Sequence, residues 1–303
     1  MTFDNPLLVV LTGPTASGKT RTGIHLASHF HSEILSADSR QFFHEMKIGT
    51  AFPVPHELAC VKHHFIGHLS IHDSYNISRF ETDAIQLLER LFQHRRVVFL
   101  VGGSGLYINA VCHGIDFLPD PNPVMRIELK LRLEQHGIAT LQEELQKTDP
   151  EYAAMVDMAN PARLIRALEI CHTTGVPYSS LRLNNPKERP FRILKIGITH
   201  PREVLNERIN NRVDQMIDAG LVEEARQLYP YRHLNALNTV GYKELFDHFD
   251  GAYPLAMAIE KIKTHSRRYA KRQMTWFTKD AEMVWFLPSE TERMISLIEK
   301  SMC

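Results

Sequence analysis

A glycine-rich segment near the start of the chain has the spacing of a phosphate-binding loop. Residues 13–20 read GPTASGKT and match the pattern G-x4-G-K-[S/T], with an apolar run before them and a helical pattern after them. Glycines let several backbone N–H groups turn towards one anion, and the start of the following helix adds its positive dipole. Lys19 supplies a point charge, and the Thr20 hydroxyl is a natural ligand for Mg²⁺. The segment therefore predicts a site for a di- or triphosphate with Mg²⁺. Its residues are Gly13, Pro14, Thr15, Ala16, Ser17, Gly18, Lys19 and Thr20.

Two polar residues stand where predicted strands end. Asp38 follows the short segment 33–36, and Ser104 follows the continuous apolar run 97–101. Because the carboxyl ends of parallel strands line the ligand crevice of an open sheet, both side chains are expected to face the phosphate-binding loop. A nucleotide hydrolase usually has an aspartate at the end of such an apolar strand, whereas 97–101 ends in Gly-Gly-Ser. Asp38 is therefore the candidate acid, with a turn-forming role for Asp38 and a helix-capping role for Ser104 as the alternatives.

A strongly basic stretch lies towards the end of the chain. Between Leu255 and Lys279 seven residues are basic and only Glu260 is acidic, although the whole chain has 35 basic and 35 acidic residues. Apolar residues recur at helical spacing through this stretch, which predicts an amphipathic helix. Its basic side is expected to contact a phosphate backbone, with a solvated face or a membrane surface as the alternatives. The basic residues are Lys261, Lys263, Arg267, Arg268, Lys271, Arg272 and Lys279.

Alternating strand and helix patterns predict an α/β fold, a P-loop-type parallel sheet with helices on both faces. A helix over 78–93 is expected to open with a capping box, Ser78 to Glu81. Residues 119–188, which follow a proline-rich break, have helical patterns only and predict a helical insertion. The α/β core then comprises 1–118 and 189–303. The predicted strands are 7–11, 33–36, 97–101, 193–198 and 284–287, and two later helices are predicted over 201–219 and 254–276.

Composition narrows the classes of protein. The chain has 303 residues, 44% of them hydrophobic and 23% charged, and its net charge of zero excludes a generally basic nucleic-acid coat protein. No apolar run approaches the roughly 18–20 residues of a membrane span, so no membrane partner and no secretory signal are expected. The four cysteines show neither zinc-ribbon spacing nor a disulfide framework, which favours a reduced, cytoplasmic protein. Clustered histidines (His63, His64, His68 and His72) also lack zinc-motif spacing and are expected to pack or hydrogen-bond beside the site.

These segments together resemble the tRNA dimethylallyltransferase (tRNA isopentenyltransferase) family, in its bacterial form. Eight matching segments follow one another in the family's order and extend from Gly13 to Phe277. They are GPTASGKT (13–20), SADSRQ (36–41), IGTAFP (48–53), HHFIGH (63–68), VGGSGLYI (101–108), NPARLIRALEI (160–170), VGYKE (240–244) and AKRQMTWF (270–277). Together they are far more specific than the phosphate-binding loop alone.

The resemblance implies an activity. Members of the family transfer a dimethylallyl group from dimethylallyl diphosphate to N6 of the adenosine 3′ of the anticodon, position 37, in tRNAs that read codons beginning with U. The phosphate-binding loop then holds the diphosphate of the prenyl donor with Mg²⁺, which Thr20 binds. The implied partners are this donor and the anticodon stem-loop of tRNA, and the enzyme is expected to be a monomer. The family fold, a P-loop α/β core with a helical insertion, agrees with the patterns above.

The resemblance also implies roles for individual residues. Asp38 matches the family's general base, Ser104 matches its hydroxyl residue after Gly-Gly, and Arg212 matches a catalytic arginine in an R-x3-M helix. Positions that match tRNA-contacting residues are Asp38, Ser39, Arg40, Gln41, Ser104, Arg126, Ala162, Arg163, Leu164, Ile165 and Arg166.

Two departures and three alternatives stand beside this interpretation. Ser104 replaces the usual threonine, and Phe52 stands where the family commonly has lysine, a change that is expected to remove one phosphate contact. The alternatives are an isopentenyltransferase acting on free AMP, ADP or ATP, a P-loop small-molecule kinase, and a non-catalytic RNA-binding protein. The arginines at 126, 163 and 166 and the basic helix favour an acceptor the size of tRNA.

Overall fold

The computed structural model describes residues 5–120, 122–183 and 185–302. The chain divides into two compact units, one formed by residues 1–113 with 188–303 and the other by residues 114–187. The first is an α/β unit and the second is entirely helical within the described residues. The helical unit thus begins five residues before the predicted boundary at 119 and ends one residue before the predicted boundary at 188.

A parallel sheet organises the α/β unit. Its six strands are β1 (Leu7–Thr12), β2 (Ile34–Ser36), β3 (His63–His64), β4 (Val97–Gly102), β5 (Arg192–Ile198) and β6 (Val284–Phe286). They lie in the order β3-β2-β4-β1-β5-β6, and every neighbouring pair is parallel. At the centre, Val9 of β1 lies opposite Phe99 of β4 on one side and Leu194 of β5 on the other. This arrangement brings the carboxyl ends of β1, β2 and β4 side by side.

Fourteen α-helices accompany the sheet in the described parts of the chain. They are α1 (Lys19–His29), α2 (Pro55–Cys60), α3 (Ile77–Leu91), α4 (Gly105–His113), α5 (Pro123–His136), α6 (Ile138–Thr148), α7 (Pro150–Met155), α8 (Pro161–Thr174), α9 (Tyr178–Leu181), α10 (Arg202–Asp218), α11 (Leu221–Leu228), α12 (Tyr242–Phe249), α13 (Leu255–Phe277) and α14 (Thr291–Met302). Two short 3₁₀ helices, Tyr229–Tyr231 and Asn235–Leu237, join α11 to α12. No described helix is long and apolar enough to cross a membrane.

Both faces of the sheet are covered by helices. All six residues of β1 are buried, and its side chains alternate between two hydrophobic cores because successive residues of a strand point to opposite faces. Leu8 and Val10 belong to the core formed with α3, α4 and α10–α13, whereas Leu7, Val9 and Leu11 belong to the core formed with α1 and α14. The predicted fold class is therefore confirmed.

The predicted capping box at the start of α3 is wrong. The helix begins at Ile77, and the side chain of Asn76, an equally good N-cap residue, accepts the N–H of Arg79 at 2.9 Å. Glu81 is buried and forms an ion pair with Arg189, 2.7 Å from Oε1 to Nη2. Its carboxylate therefore stabilises a distant segment rather than the helix start, a partnership that local spacing does not reveal.

The helical unit has a core of its own. Leu129, Leu141, Leu145 and Leu168 are fully buried there, on α5, α6 and α8. Beside this core Glu169, 1% exposed, accepts hydrogen bonds from Arg126 (2.5 Å) and Arg166 (3.1 Å) and from the N–H of Asn122 (2.7 Å). A buried carboxylate needs such partners, so these two arginines belong to the internal framework of the unit.

Candidate active site

The phosphate-binding loop joins β1 to α1 in a backbone conformation that only particular residues adopt easily. Gly13 has φ 155°, and a Cβ at this position would lie 2.3 Å from the carbonyl oxygen of Ile198. Ala16 has φ 62°, and Gly18, with φ 94°, precedes the first residue of α1. Glycine is required at position 13 because both the conformation and the close approach exclude a side chain. The loop thereby turns the start of α1 towards a cavity, and helix starts of this kind bind phosphate groups in other proteins.

A large cavity lies over this loop. Its volume is about 900 Å³, and its lining includes Lys19 and Thr20 of the loop, Asp38 after β2, and Arg208 and Arg212 of α10. The prediction that Asp38 faces the loop agrees with this placement. A second cavity, of about 110 Å³, is also lined by Asp38 and Arg212. The carboxylate and the arginine thus border both spaces.

Two cations of the large cavity, Lys19 and Arg212, are partly removed from water. Burial lowers the pKa of Lys19 to about 8, with Arg212 acting in the same direction and Asp38 opposing it. Burial likewise lowers the pKa of Arg212. Within the described residues neither side chain forms an ion pair, and the Lys19 ammonium donates only to the carbonyl of Pro14, at 3.3 Å. Desolvated cations without carboxylate partners are suited to an incoming anion.

Asp38 is oriented by its own loop. Its Oδ1 accepts the N–H of Arg40 at 3.1 Å, while Oδ2 has no hydrogen-bond partner among the described residues. Ser104 stands at the end of β4, where its hydroxyl accepts the N–H of Ser39 at 3.0 Å. Ser104 is thus engaged with the residue next to Asp38, so its side chain holds the loop that carries the carboxylate. One carboxylate oxygen of Asp38 is left to accept a proton or a hydrogen bond from a substrate.

Three further residues hydrogen-bond to the phosphate-binding loop and were not predicted. The first is His200, whose Nε2 lies 3.1 Å from the carbonyl oxygen of Ser17. The Arg208 Nε donates to the carbonyl of Ala16 at 2.8 Å, one helical turn before Arg212. The Gln273 side chain on α13 accepts the N–H of Thr15 at 2.8 Å. The i, i+4 spacing of the two arginines was a usable signal for Arg208. Gln273 lies within AKRQMTWF, but its contact depends on the placement of α13 across the sheet.

The other predicted tRNA-contacting residues of the α/β unit are engaged within the protein. Arg40 donates from its guanidinium to the carbonyls of Asn235 (2.9 Å) and Ala236 (3.0 Å). Gln41 is buried, and its amide donates to the carbonyls of Thr50 and Ala51, both at 3.1 Å. Both side chains therefore fix neighbouring loops at the edge of the cavity.

In the helical unit the predicted residues fall into three groups. Ala162 and Arg163 are exposed at the start of α8. Leu164 and Ile165 are buried, 0% and 7% exposed, in the core of the unit. The guanidinium groups of Arg126 and Arg166 pair with Glu169, as described above. Among these residues, Arg163 is thus the exposed cation with no ion pair in the described part of the unit.

The basic helix α13 has two different sides. Lys263 pairs with Asp214 at 2.8 Å, and Arg267 donates to Asn210 at 2.5 Å, so both residues hold α13 against α10. In contrast Arg268, Lys271 and Arg272 are exposed, and the described residues offer them no ion pair. The phosphate-contacting role predicted for this helix therefore rests on these three exposed cations.

Thr20 is the predicted Mg²⁺ ligand. It lies in the first turn of α1 and is one of the residues that line the large cavity. Among the described residues no group of three or more His, Cys, Asp and Glu side chains is able to hold a metal ion. A single hydroxyl fits Mg²⁺ that takes most of its oxygen ligands from a bound diphosphate and water.

The fold and this cavity define an α/β protein with a parallel sheet, in which the loop between β1 and α1 lines one cavity together with Asp38. Sequence comparison identifies the family more closely. The chain belongs to the IPP transferase family, whose sequence profile matches residues 41–280. It is therefore a prenyl-group transferase, and the predicted family membership is confirmed.

Individual relatives agree with this assignment over nearly the whole chain. The tRNA dimethylallyltransferase of Christiangramia forsetii is 54% identical over 288 residues, which cover 95% of each chain. Among solved structures, the full-length tRNA isopentenylpyrophosphate transferase of Bacillus halodurans superimposes with a TM-score of 0.71 at 38% identity, covering 97% of this chain and 96% of that one. A eukaryotic dimethylallyltransferase acting on tRNA superimposes with a TM-score of 0.73 at 26% identity, covering 89% of this chain and 69% of that one.

Proposed function

We propose that this enzyme transfers the dimethylallyl group of dimethylallyl diphosphate to N6 of the adenosine 3′ of the anticodon, position 37, in tRNAs that read codons beginning with U. The observation that carries the proposal is a single cavity shared by the carboxylate of Asp38 and the cations of the phosphate-binding loop. Such a cavity suits a reaction in which a diphosphate leaves one reactant while a proton leaves the other. The names of the relatives, tRNA dimethylallyltransferases, support the choice of donor and acceptor.

The acceptor amine is positioned and deprotonated by Asp38. The target base leaves the stack of the anticodon loop, because its amine is otherwise unreachable. The free Oδ2 of Asp38 accepts a hydrogen bond from N6, and takes the proton as N6 bonds to C1 of the allyl group and the bond from C1 to the diphosphate oxygen breaks. An adenine amine is a weak nucleophile, so holding it close to C1 supplies a large part of the rate.

The leaving diphosphate is stabilised by fixed positive charge. Lys19 and the N–H groups at the start of α1 meet its oxygens, and Arg212 and Arg208 approach from α10 on another side of the cavity. Thr20 would hold Mg²⁺, which would supply further neutralisation of the negative charge on the diphosphate. Burial lowers the pKa of Lys19 and of Arg212 before the donor arrives, so these two cations stabilise the developing charge with less reorganisation of water.

Apolar residues provide a place for the prenyl group. The cavity lining includes Ile48, Phe52, Ile66 and Met216. The Phe52 ring approaches Gly67 so closely that a Cβ atom on Gly67 would lie 2.8 Å from the Cζ atom of the ring. The phenylalanine at a position where lysine is common thus extends the apolar wall, and the phosphate-binding role remains with Lys19 and the arginines.

The acceptor is proposed to be tRNA rather than a free nucleotide. Exposed Arg268, Lys271 and Arg272 on α13 and exposed Arg163 on α8 offer contacts to a phosphate backbone that AMP does not need. We further propose that the enzyme works as a cytoplasmic monomer. The described cysteines Cys60, Cys112 and Cys171 are free thiols, as in reducing compartments.

Labelled dimethylallyl diphosphate tests the proposal. The enzyme is incubated with it and, separately, with a tRNA carrying A37, the same tRNA carrying G37, AMP and ATP. Label is expected in the A37 tRNA alone. Label in AMP or ATP would assign the enzyme to free-nucleotide prenylation, and a requirement for ATP hydrolysis would assign it to kinase-type chemistry.

A further inference from the structure

The side chain of Gln273 bridges two loops of the site. Its Oε1 accepts the N–H of Thr15 in the phosphate-binding loop at 2.8 Å, and its Nε2 donates to the carbonyl of Gly103 after β4 at 2.9 Å. The residue is only 7% exposed; its bond to Gly103 is buried, and its bond to Thr15 lies at the wall of the large cavity. A buried amide satisfied at both ends holds its partners at a defined separation.

The turn beneath Gln273 is shaped to receive it. A Cβ on Gly103 would lie 2.4 Å from the Gln273 Nε2, and a Cβ on Gly105 would lie 2.2 Å from the indole nitrogen of Trp276. Gln273 and Trp276 are three residues apart and therefore project from the same side of α13. Two glycines thus allow α13 to rest directly on the backbone of the turn.

The turn continues towards the acceptor side of the site. Between the two glycines stands Ser104, whose N–H donates to Ala37 at 3.1 Å and whose hydroxyl accepts the N–H of Ser39 at 3.0 Å. Asp38 lies between these two partners. A continuous path therefore leads from the donor loop at Thr15, through Gln273 and the turn, to the backbone on both sides of the carboxylate.

We propose that Gln273 is a positioning residue that sets the distance between the donor's phosphate-binding loop and the Asp38 loop. This inference rests on the proposed function, in which C1 of the donor and N6 of the acceptor must approach to about 3–3.5 Å. Ground-state binding of diphosphate depends on Lys19, the arginines and the loop. Loss of the bridge should therefore lower the rate of transfer more than the affinity for diphosphate, since a misplacement of about 1 Å can cost about 100-fold in rate.

Two variants separate the hydrogen bonds from the space that the side chain fills. Gln273→Met keeps the length of the side chain and removes both bonds. We expect its kcat for tRNA prenylation to fall by about 10–100-fold, while the Kd of inorganic pyrophosphate changes by less than about threefold. Gln227→Met, on the exposed face of α11, is the matched control and should leave both values unchanged.

Gln273→Glu adds a signature that a merely space-filling residue would not give. An ionised glutamate accepts from Thr15 but repels the carbonyl of Gly103, whereas a protonated glutamate donates to that carbonyl and reproduces the amide. The ratio of variant to wild-type kcat should therefore rise as pH falls from about 8 to about 6, because burial raises the pKa of a carboxyl group. Gln273→Met has no titrating group, and its ratio should stay flat.

Hydrogen exchange of the unliganded enzyme provides a readout besides activity. The Thr15 amide should exchange faster in Gln273→Met than in the wild type or in Gln227→Met. A Gln273→Met enzyme with kcat within twofold of the wild type would overturn the inference, and so would a loss confined to pyrophosphate affinity or a flat pH ratio for Gln273→Glu. A wild-type enzyme that does not prenylate tRNA would overturn the proposed function instead. Hydrogen exchange at the Thr15 amide would still test whether Gln273 holds the phosphate-binding loop.

Discussion

The two units of the molecule both concentrate arginine side chains, and they use them in opposite ways. In the α/β unit, Arg208 and Arg212 line the large cavity, and neither forms an ion pair among the described residues. In the helical unit, Arg126 and Arg166 pair with the buried carboxylate of Glu169. The same residue type thus lines a cavity without an ion-pair partner in one unit and pairs with a buried carboxylate in the other.

This difference gives a criterion for distinguishing a cation that binds a ligand from one that stabilises the fold. Desolvating a cation is unfavourable, and a fold tolerates it when a carboxylate or a ligand compensates. Lys19 shows the cost directly, since burial lowers its pKa to about 8. A buried cation with a partner is explained by the fold alone, whereas one without a partner indicates a missing anion.

The largest effect is expected from the unpaired carboxylate of the α/β unit. Asp38→Asn keeps the shape of the side chain and one acceptor oxygen but cannot take a proton. We expect kcat to fall by about 10²–10⁴-fold with tRNA binding roughly retained, as for the loss of a general base. Single-turnover prenylation measures the effect, and Asp218→Asn, exposed at the end of α10, is the control. Turnover within threefold of wild type would remove Asp38 from catalysis.

The next largest effect is expected on the stability of the helical unit, from loss of the ion pairs that Glu169 forms with Arg126 and Arg166. Glu169→Ala leaves Arg126, Arg166 and the N–H of Asn122 without their buried acceptor. We expect the free energy of unfolding of the helical unit to fall by about 3–5 kcal/mol. Urea unfolding measures this loss, and exposed Glu134→Ala should stay within about 0.5 kcal/mol of the wild type. Unchanged stability would show that the two arginines are as available to ligands as those of the cavity.

Structural features that a few neighbouring residues determine could be predicted from the sequence. Buried parallel strands are continuous apolar runs, so β1 and β4 were predicted within one residue, whereas β3 has two histidines and no apolar run. The phosphate-binding loop and Asp38 are likewise local features of strand ends. The sheet had only to bring them together, which a parallel topology does by itself.

Partnerships between distant residues could not be predicted in this way. Thr15 and Gln273 are 258 residues apart, and Arg126 and Glu169 are 43 apart. Their contacts depend on how helices pack, which hydrophobic periodicity leaves open. The sequence shows that Arg126 and Arg163 are positively charged, and only the fold distinguishes the paired side chain from the exposed one.

An intermediate effect is expected from the pKa of Lys19. Diphosphate binds the protonated lysine, so the affinity of the free enzyme for pyrophosphate should be constant below about pH 8 and fall by up to about tenfold per pH unit above it.

The free energy of unfolding of the unliganded enzyme should change in the opposite direction over this pH range. The folded pKa lies below the unfolded value of 10.5, so deprotonation favours the folded state and the free energy of unfolding rises from about pH 8 to 10.5.

Titration calorimetry with pyrophosphate, repeated across this pH range, measures the pH at which the affinity begins to fall, which we call the break. Lys19→Arg is the control, because an arginine stays protonated throughout and should remove the break near pH 8. An unbroken profile in the wild-type enzyme would mean that Lys19 keeps an ordinary pKa and is not desolvated, and would remove the contrast between its charge and the paired arginines of the helical unit.

The smallest effect is expected from Arg163. Unlike Arg126 and Arg166 of the same unit, it does not pair with Glu169. It is exposed at the start of α8 and has no ion pair in the described residues, so it is free to meet a tRNA phosphate. Arg163→Ala should leave stability within about 0.5 kcal/mol of the wild type, and lower the slope of log K against log salt for tRNA by about 0.7–0.9, one phosphate contact. Exposed Lys130→Ala removes the same charge from α5 and controls for net charge alone. Equal slopes for all three proteins would show that an exposed cation without an ion pair is not thereby a ligand contact. The criterion would then apply only to half-buried cations without an ion pair, such as Lys19 and Arg212.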